Sequence, residues 1–117
     1  MPDQSVEECL TLETERKDDM VMVRCKGRLQ AGVSDAFYAK VSKLIPGNKR
    51  IVLDLTDLTR MDSMGIGALV RLYVSAKSAG CKLELVNLGK RVREVLGITH
   101  LLSVFSIIGE HGPTIRY

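Results

Sequence analysis

The sequence predicts an α/β domain in which an antiparallel hairpin opens a mixed sheet and βαβ crossovers continue it, with helices packed on the sheet. Three observations carry this. Two alternating apolar runs, "LTLETE" and "MVMVRCKG", lie close together near the start, separated by charged residues. Beyond them, apolar residues recur at helical spacing between further strand-like runs. The length of 117 residues suits one core and leaves no room for two, so residues 1–117 are expected to form a single domain. Aromatics make up only 4%, so that core must be built from aliphatic side chains and methionine.

The elements follow in order. Residues 1–8 lack periodicity and are expected to be a loose terminus. In "LTLETE", Leu10 and Leu12 share a face, "RKDD" makes a charged turn, and "MVMVRCKG" then groups Val21, Val23 and Cys25. In "GVSDAFYAKVSKLIPGN" the period changes: Val33, Phe37, Val41 and Leu44 mark a helix that Ser34 can cap and Pro46-Gly47 stops. "KRIVLDL" is apolar on both faces, as a buried strand is. A second helix is predicted over 63–79, ended by Gly80. "KLELVN" is a strand, "KRVREVLG" a third helix and "VFSII" the last strand, while the glycines and proline of 109–117 predict an irregular tail. Strands joined through a helix run parallel, so Gln30, Asp62-Ser63 and Asn87 are expected on one rim of the sheet.

Composition excludes several functions. The net charge is +3, but the basic residues are scattered among 14 acidic ones, and the densest cluster, "KRVRE", has no interleaved aromatics. A nucleic-acid partner is therefore not expected. Cys9, Cys25 and Cys81 form no metal-binding spacing; Cys9 and Cys25 read as small core residues. The odd cysteine count and the lack of a signal peptide predict a cytoplasmic location. "LLSVFSIIG" has about half the length a bilayer span requires, so no membrane insertion is expected.

The most informative stretch is "RMDSMGIGALV". Projecting its helix places Ile66, Leu69, Val70, Tyr73 and Val74 on the core stripe and Met64, Ala68, Arg71 and Ser75 opposite. Ser63 falls at the helix start, where backbone N–H groups lack partners and the dipole is positive. A plain N-cap accounts for Asp62-Ser63 and leaves the glycines unexplained. Gly65 and Gly67 each cost roughly 1 kcal/mol inside a helix. They let another backbone approach, from a neighbouring element or from a partner. Met64 is a stray apolar residue or, beside an exposed hydroxyl, a docking contact.

Enzyme readings lack parts. "GIGALV" opens like a dinucleotide fingerprint, but Val70 replaces its third glycine, and Asn87 rather than an acid ends the next strand. A serine nucleophile needs a base, and the two histidines, His100 and His111, lie near the C-terminus. No catalytic residue, cofactor or metal is expected. A nucleotide held non-catalytically at the rim is the small-molecule alternative.

The segment "IVLDLTDLTRMDSMGIGALVRLYVSAKSAGCKLELVNL" resembles the STAS domain, found in bacterial anti-sigma factor antagonists and in the cytoplasmic ends of sulfate transporters. The likeness rests on an aliphatic strand with an internal Asp, then Asp-Ser-x-Gly-aliphatic-Gly at a helix start, then "KLELVNL". "MVMVRCKGRL" and "VREVLGITHLLSVF" match in spacing. The resemblance implies that Ser63 is phosphorylated by an anti-sigma factor with serine kinase activity. The unphosphorylated chain would bind that factor and free a sigma factor; a serine phosphatase would reset it. ATP and Mg²⁺ would belong to the kinase. Partner contacts would centre on Arg60, Asp62, Met64, Gly65, Gly67 and Ala68, with Gln30 nearby. Met64 stands where many antagonists carry a second Ser or Thr, and Gln30 where an Asp is common. A STAS scaffold that is never phosphorylated, or a transporter-associated STAS subunit, is the alternative.

Overall fold

The computed structural model describes residues 9–98 and 106–108. Among them, five strands form one sheet in the order β1-β2-β3-β4-β5. β1 (Leu10–Lys17) and β2 (Met20–Leu29) are antiparallel; β3 (Arg50–Met61), β4 (Lys82–Val86) and β5 (Ser106–Ile108) continue the sheet in parallel. The crossovers carry helices α1 (Ser34–Ser42), α2 (Ser63–Ser78) and α3 (Lys90–Ile98). This is the mixed sheet that the periodicity predicts. The expected loose terminus at 1–8, the expected tail at 109–117 and both histidines lie outside the described residues.

The hairpin turns on Asp18-Asp19, with Asp18 at φ 58°, a left-handed conformation that Asp tolerates better than most residues. Each crossover steps to the next strand in the same direction, so right-handed connections lay the helices on one face. One core joins Val21, Val23 and Cys25 of β2, Ile51, Leu53 and Leu55 of β3, and Leu83 and Leu85 of β4. Phe37 and Val41 of α1, Leu69, Leu72 and Ala76 of α2, and Val92 and Leu96 of α3 cover them. Burial, helped by the nearby Asp54 charge, pushes the Cys25 thiol up to about 12, so it is an inert core residue.

Two expected boundaries move. α1 is capped by the turn before it: Val33 N and Ser34 N both donate to Gln30 O, at 3.1 Å. Ser34 is buried, and no side chain makes a cap bond there. β3 does not stop at Leu55 but continues to Met61. The cause is a pair of bulges. Arg24 faces Asp54 while Lys26 faces Asp57, and Gly27 faces Leu58 while Arg28 faces Arg60, so each shift inserts one extra β3 residue. Leu55, Leu58 and Met61 are therefore all buried at a spacing of three, which a period-two pattern cannot register. Only Asp62 then separates β3 from α2.

The sheet's other face carries a buried polar cluster. Asp54 Oδ1 accepts from Thr56 N (3.0 Å), Thr56 Oγ1 (2.6 Å) and Asn87 Nδ2 (3.3 Å), and Arg24 Nε lies 3.6 Å from Oδ2. Beside it, Arg50 donates through Nε and Nη2 to the buried Glu84 carboxylate. Asp54→Ala removes the acceptor that all three neighbours share. It is expected to cost about 2 kcal/mol. An unchanged midpoint in urea denaturation would show that the cluster contributes nothing.

Candidate functional site at the β3–α2 junction

Asp62 organises this junction through both carboxylate oxygens. It is the N-cap of α2 in extended conformation (φ −109°, ψ −173°), and its Oδ1 accepts from Gly65 N at 3.0 Å. Oδ2 accepts from Ala31 N at 2.9 Å, and Asp62 N donates to Leu29 O at 3.3 Å. One residue thus ties the start of α2 to the end of β2. Gly65 completes the joint. A Cβ there would overlap Leu29 O and stand 2.9 Å from Leu29 Cγ, so the first turn of α2 lies directly on β2.

Partial burial alone would raise the Asp62 pKa, but the N–H groups of Ala31, Gly65 and Met64 outweigh it and hold the carboxyl below its usual range. Asp54 is lowered in the same way: desolvation opposes, while Thr56, Asn87 and Arg24 prevail. A depressed folded pKa stabilises fully above the unfolded value of about 3.9 and is lost as pH falls through the folded value. Asp62→Ala should therefore cost about 1 kcal/mol at neutral pH through loss of the cap. Denaturation at stepwise lower pH should show that difference shrinking below about pH 4. A gap independent of pH would refute the carboxylate's role.

On this platform Ser63 is the first residue of α2, exposed, with no hydrogen bond from its Oγ to any described residue. The first turn after the capping Asp62 carries no acidic side chain, so a phosphate on Ser63 would lie at the positive end of the helix dipole. Beside it, Met64 is 53% exposed, and a Cβ at Gly67 would meet nothing within 4 Å. Further along α2, Arg71 stacks 4.1 Å from the Tyr38 ring centroid and pairs with Asp35 at 3.3 Å. The Tyr38 and Ser75 hydroxyls share a 2.8 Å hydrogen bond, which fastens α2 to α1.

Several expected positions need correction. Gly65 and Ala68 were expected to touch a partner; both are buried, Ala68 at 1% exposure. The helix lies on its small residues, with Gly65, Ala68, Leu69, Leu72 and Ala76 inward and Val74 outward at 56% exposure. Bulk alone predicts Val74 on the core stripe, whereas close approach to the sheet turns the helix onto its small residues. Asn87 does not share the rim with Ser63. β4 ends opposite Asp54, seven residues before the end of β3, roughly 20 Å at strand rise. Gln30 is half-buried at the rim, and Arg60 is exposed opposite Arg28. Sequence reasoning missed Arg28, Leu29 and Ala31, whose importance arises only from register.

A profile of the STAS domain matches residues 11–114. The chain belongs to the STAS domain family. The anti-sigma-B factor antagonist of Bacillus subtilis (strain 168) is a STAS relative 24% identical over 98 residues, 84% of this chain and 90% of that protein. The anti-sigma factor antagonist SpoIIAA of Bacillus superposes in its unphosphorylated form with a TM-score of 0.72 at 22% identity, over 86% of this chain and 90% of that one. Its phosphorylated form gives 0.67 at 21% identity, over 86% and 93%. The murine Slc26a9 anion transporter matches at 0.65 and 23% identity, over 72% of this chain and 14% of the transporter. At these identities the structural likeness concerns the STAS fold. Among the described residues no group of His, Cys, Asp or Glu could hold a metal ion, and no helix is long and apolar enough to cross a membrane.

Proposed function

We propose that this STAS chain is an anti-sigma factor antagonist switched by phosphorylation of Ser63. Unphosphorylated, it binds an anti-sigma factor with serine kinase activity and so releases a sigma factor. The kinase then transfers the γ-phosphoryl group of ATP to Ser63 Oγ, the hydroxyl proton leaves to the kinase's base, and ADP departs. A serine phosphatase restores the hydroxyl. The chain contributes an acceptor and a surface; the catalytic groups belong to its partners.

The observation that carries this reading is the exposed Ser63 hydroxyl, held at a helix N-terminus that Asp62 and Gly65 fasten to β2. The fold tolerates an anion there. Phosphorylation adds about −1.5 to −2 charge, which a close interface would have to desolvate or repel. The change therefore falls on association and leaves the fold intact. The similarity to a Bacillus subtilis antagonist over most of both chains supports the same partner class.

The test is incubation with each serine-kinase anti-sigma factor of the source organism, ATP and Mg²⁺, followed by mass spectrometry of the peptide Met61–Arg71. One phosphoryl group on Ser63, absent from Ser63→Ala, is expected. Complex formation without any phosphorylation would instead favour the scaffold or transporter-associated reading, which the likeness to the transporter's STAS portion supports.

A further inference from the structure

Arg28 and Arg60 are direct partners in the parallel β2–β3 register, and both are exposed. The next pair, Leu29 and Met61, is buried, so alternation turns both guanidinium groups to the face away from the helices. Neighbouring strands lie about 4.8 Å apart, and like charges at facing positions repel. Two other arginines of this sheet are paired: Arg24 lies between Glu13 and Asp54, and Arg50 rests on Glu84. Among the described residues no carboxylate pairs with Arg28 or Arg60. Arg28 Nη2 lies 3.9 Å from Cys9 Sγ. Asp57 faces Lys26 one row away and adds no net charge. Asp62, two residues after Arg60, stays anionic, but its oxygens are turned to Ala31 N and Gly65 N and it makes no ion pair with Arg60.

The second bulge creates this pairing, by adding a residue to β3 just before Arg60. This like-charge pair, set three residues before the candidate phosphoacceptor, has no carboxylate partner among the described residues and so breaks a local rule there. We propose that Arg28 and Arg60 together seat an acidic segment of the partner that reads Ser63, an inference that rests on the function proposed above. The occupant's chemistry is carboxylate: two adjacent planar forks suit Asp and Glu side chains. Among the described residues no aromatic ring stacks on either arginine, and on a chain with 17 basic and 14 acidic residues the pair makes a poor nucleic-acid footprint.

The pair also deepens the switch. Three residues span at most about 11 Å, so a phosphate on Ser63 would lie near a Debye length (~10 Å at 0.1 M) from Arg60. It would offset the field that attracts the acidic segment, so one modification would both obstruct the interface and weaken its attraction.

The test uses calorimetry with the anti-sigma factor that binds the wild-type chain, across ionic strengths of about 0.05 to 0.3 M. Arg28→Gln/Arg60→Gln is expected to weaken binding about tenfold and flatten its salt dependence, while Arg28→Lys/Arg60→Lys stays within about threefold. Ser63→Asp should cost less affinity in the Gln/Gln background than in the wild type. Melting of the Gln/Gln chain at or above the wild-type temperature excludes unfolding as the cause. If Ser63→Asp abolishes binding while the Gln/Gln chain binds as tightly as wild type, this inference falls and the proposed function stands. If the wild-type chain binds no such factor, both fall. Loss of duplex-DNA binding by the Gln/Gln chain, with factor binding unchanged, would assign the pair to nucleic acid and overturn the inference.

Discussion

Gly65→Ala is expected to destabilise the chain by about 3 kcal/mol, the upper end for overpacking, whereas Gly67→Ala, two residues on, should stabilise it by about 0.5 kcal/mol. Both glycines lie in the first turns of one helix, and intrinsic propensity alone would make both substitutions favourable. Their surroundings separate them. A methyl at 65 overlaps a backbone oxygen of β2, which cannot rotate aside as a side chain could. Relief requires α2 to lift off β2, which also strains the Asp62 bridge to Ala31. A methyl at 67 projects into open space. Urea denaturation of the two variants reads the difference directly. Equal effects would mean that α2 does not rest on Leu29. Because Ser63 is presented by that same turn, Gly65→Ala should also blur partner recognition, and Gly67→Ala tests whether the open surface beside Met64 is part of the interface.

The second large effect concerns association. Ser63→Asp should weaken binding to the anti-sigma factor by about 2 kcal/mol, roughly thirtyfold in Kd. Ser63→Ala should bind like the unmodified chain. Asp supplies one charge where phosphate supplies about −1.5 to −2, so the phosphorylated chain should bind more weakly than the variant. Neither substitution should move the melting temperature by more than about 3 °C, since the cap is made by Asp62 and Ser63 is exposed. Calorimetric titration of the three forms provides the comparison. Equal affinity for the Asp and Ala variants would remove Ser63 from the switch.

Element type and order were legible because alternation and helical spacing survive in a single chain. Val21, Val23 and Cys25 declare β2, and the Asp62-Ser63 start of α2 declares itself by its cap. A hydroxyl next to an N-capping acid was legible too, since it is a local property; its role as phosphoacceptor is what the resemblance to the STAS domain implies. The buried face of α2 was not. Ala68 and Gly65 go inward because small residues let the helix approach the sheet, and bulk is a misleading guide where close approach is the constraint. The length of β3 was hidden because two bulges change its inward spacing from two to three.

Sequence order alone specifies which segments are strands and helices, since that depends on periodic burial and on caps within a few residues. It also specifies the chemistry available at the junction: one hydroxyl, one capping carboxylate and two glycines. Tertiary structure assigns those groups their work. It commits Asp62 to Ala31 and Gly65, places Gly65 against Leu29, moves Asn87 down to Asp54 and sets Arg28 beside Arg60. Each of these depends on a register between segments distant in the chain. A one-residue bulge changes such a register while leaving the local pattern almost untouched.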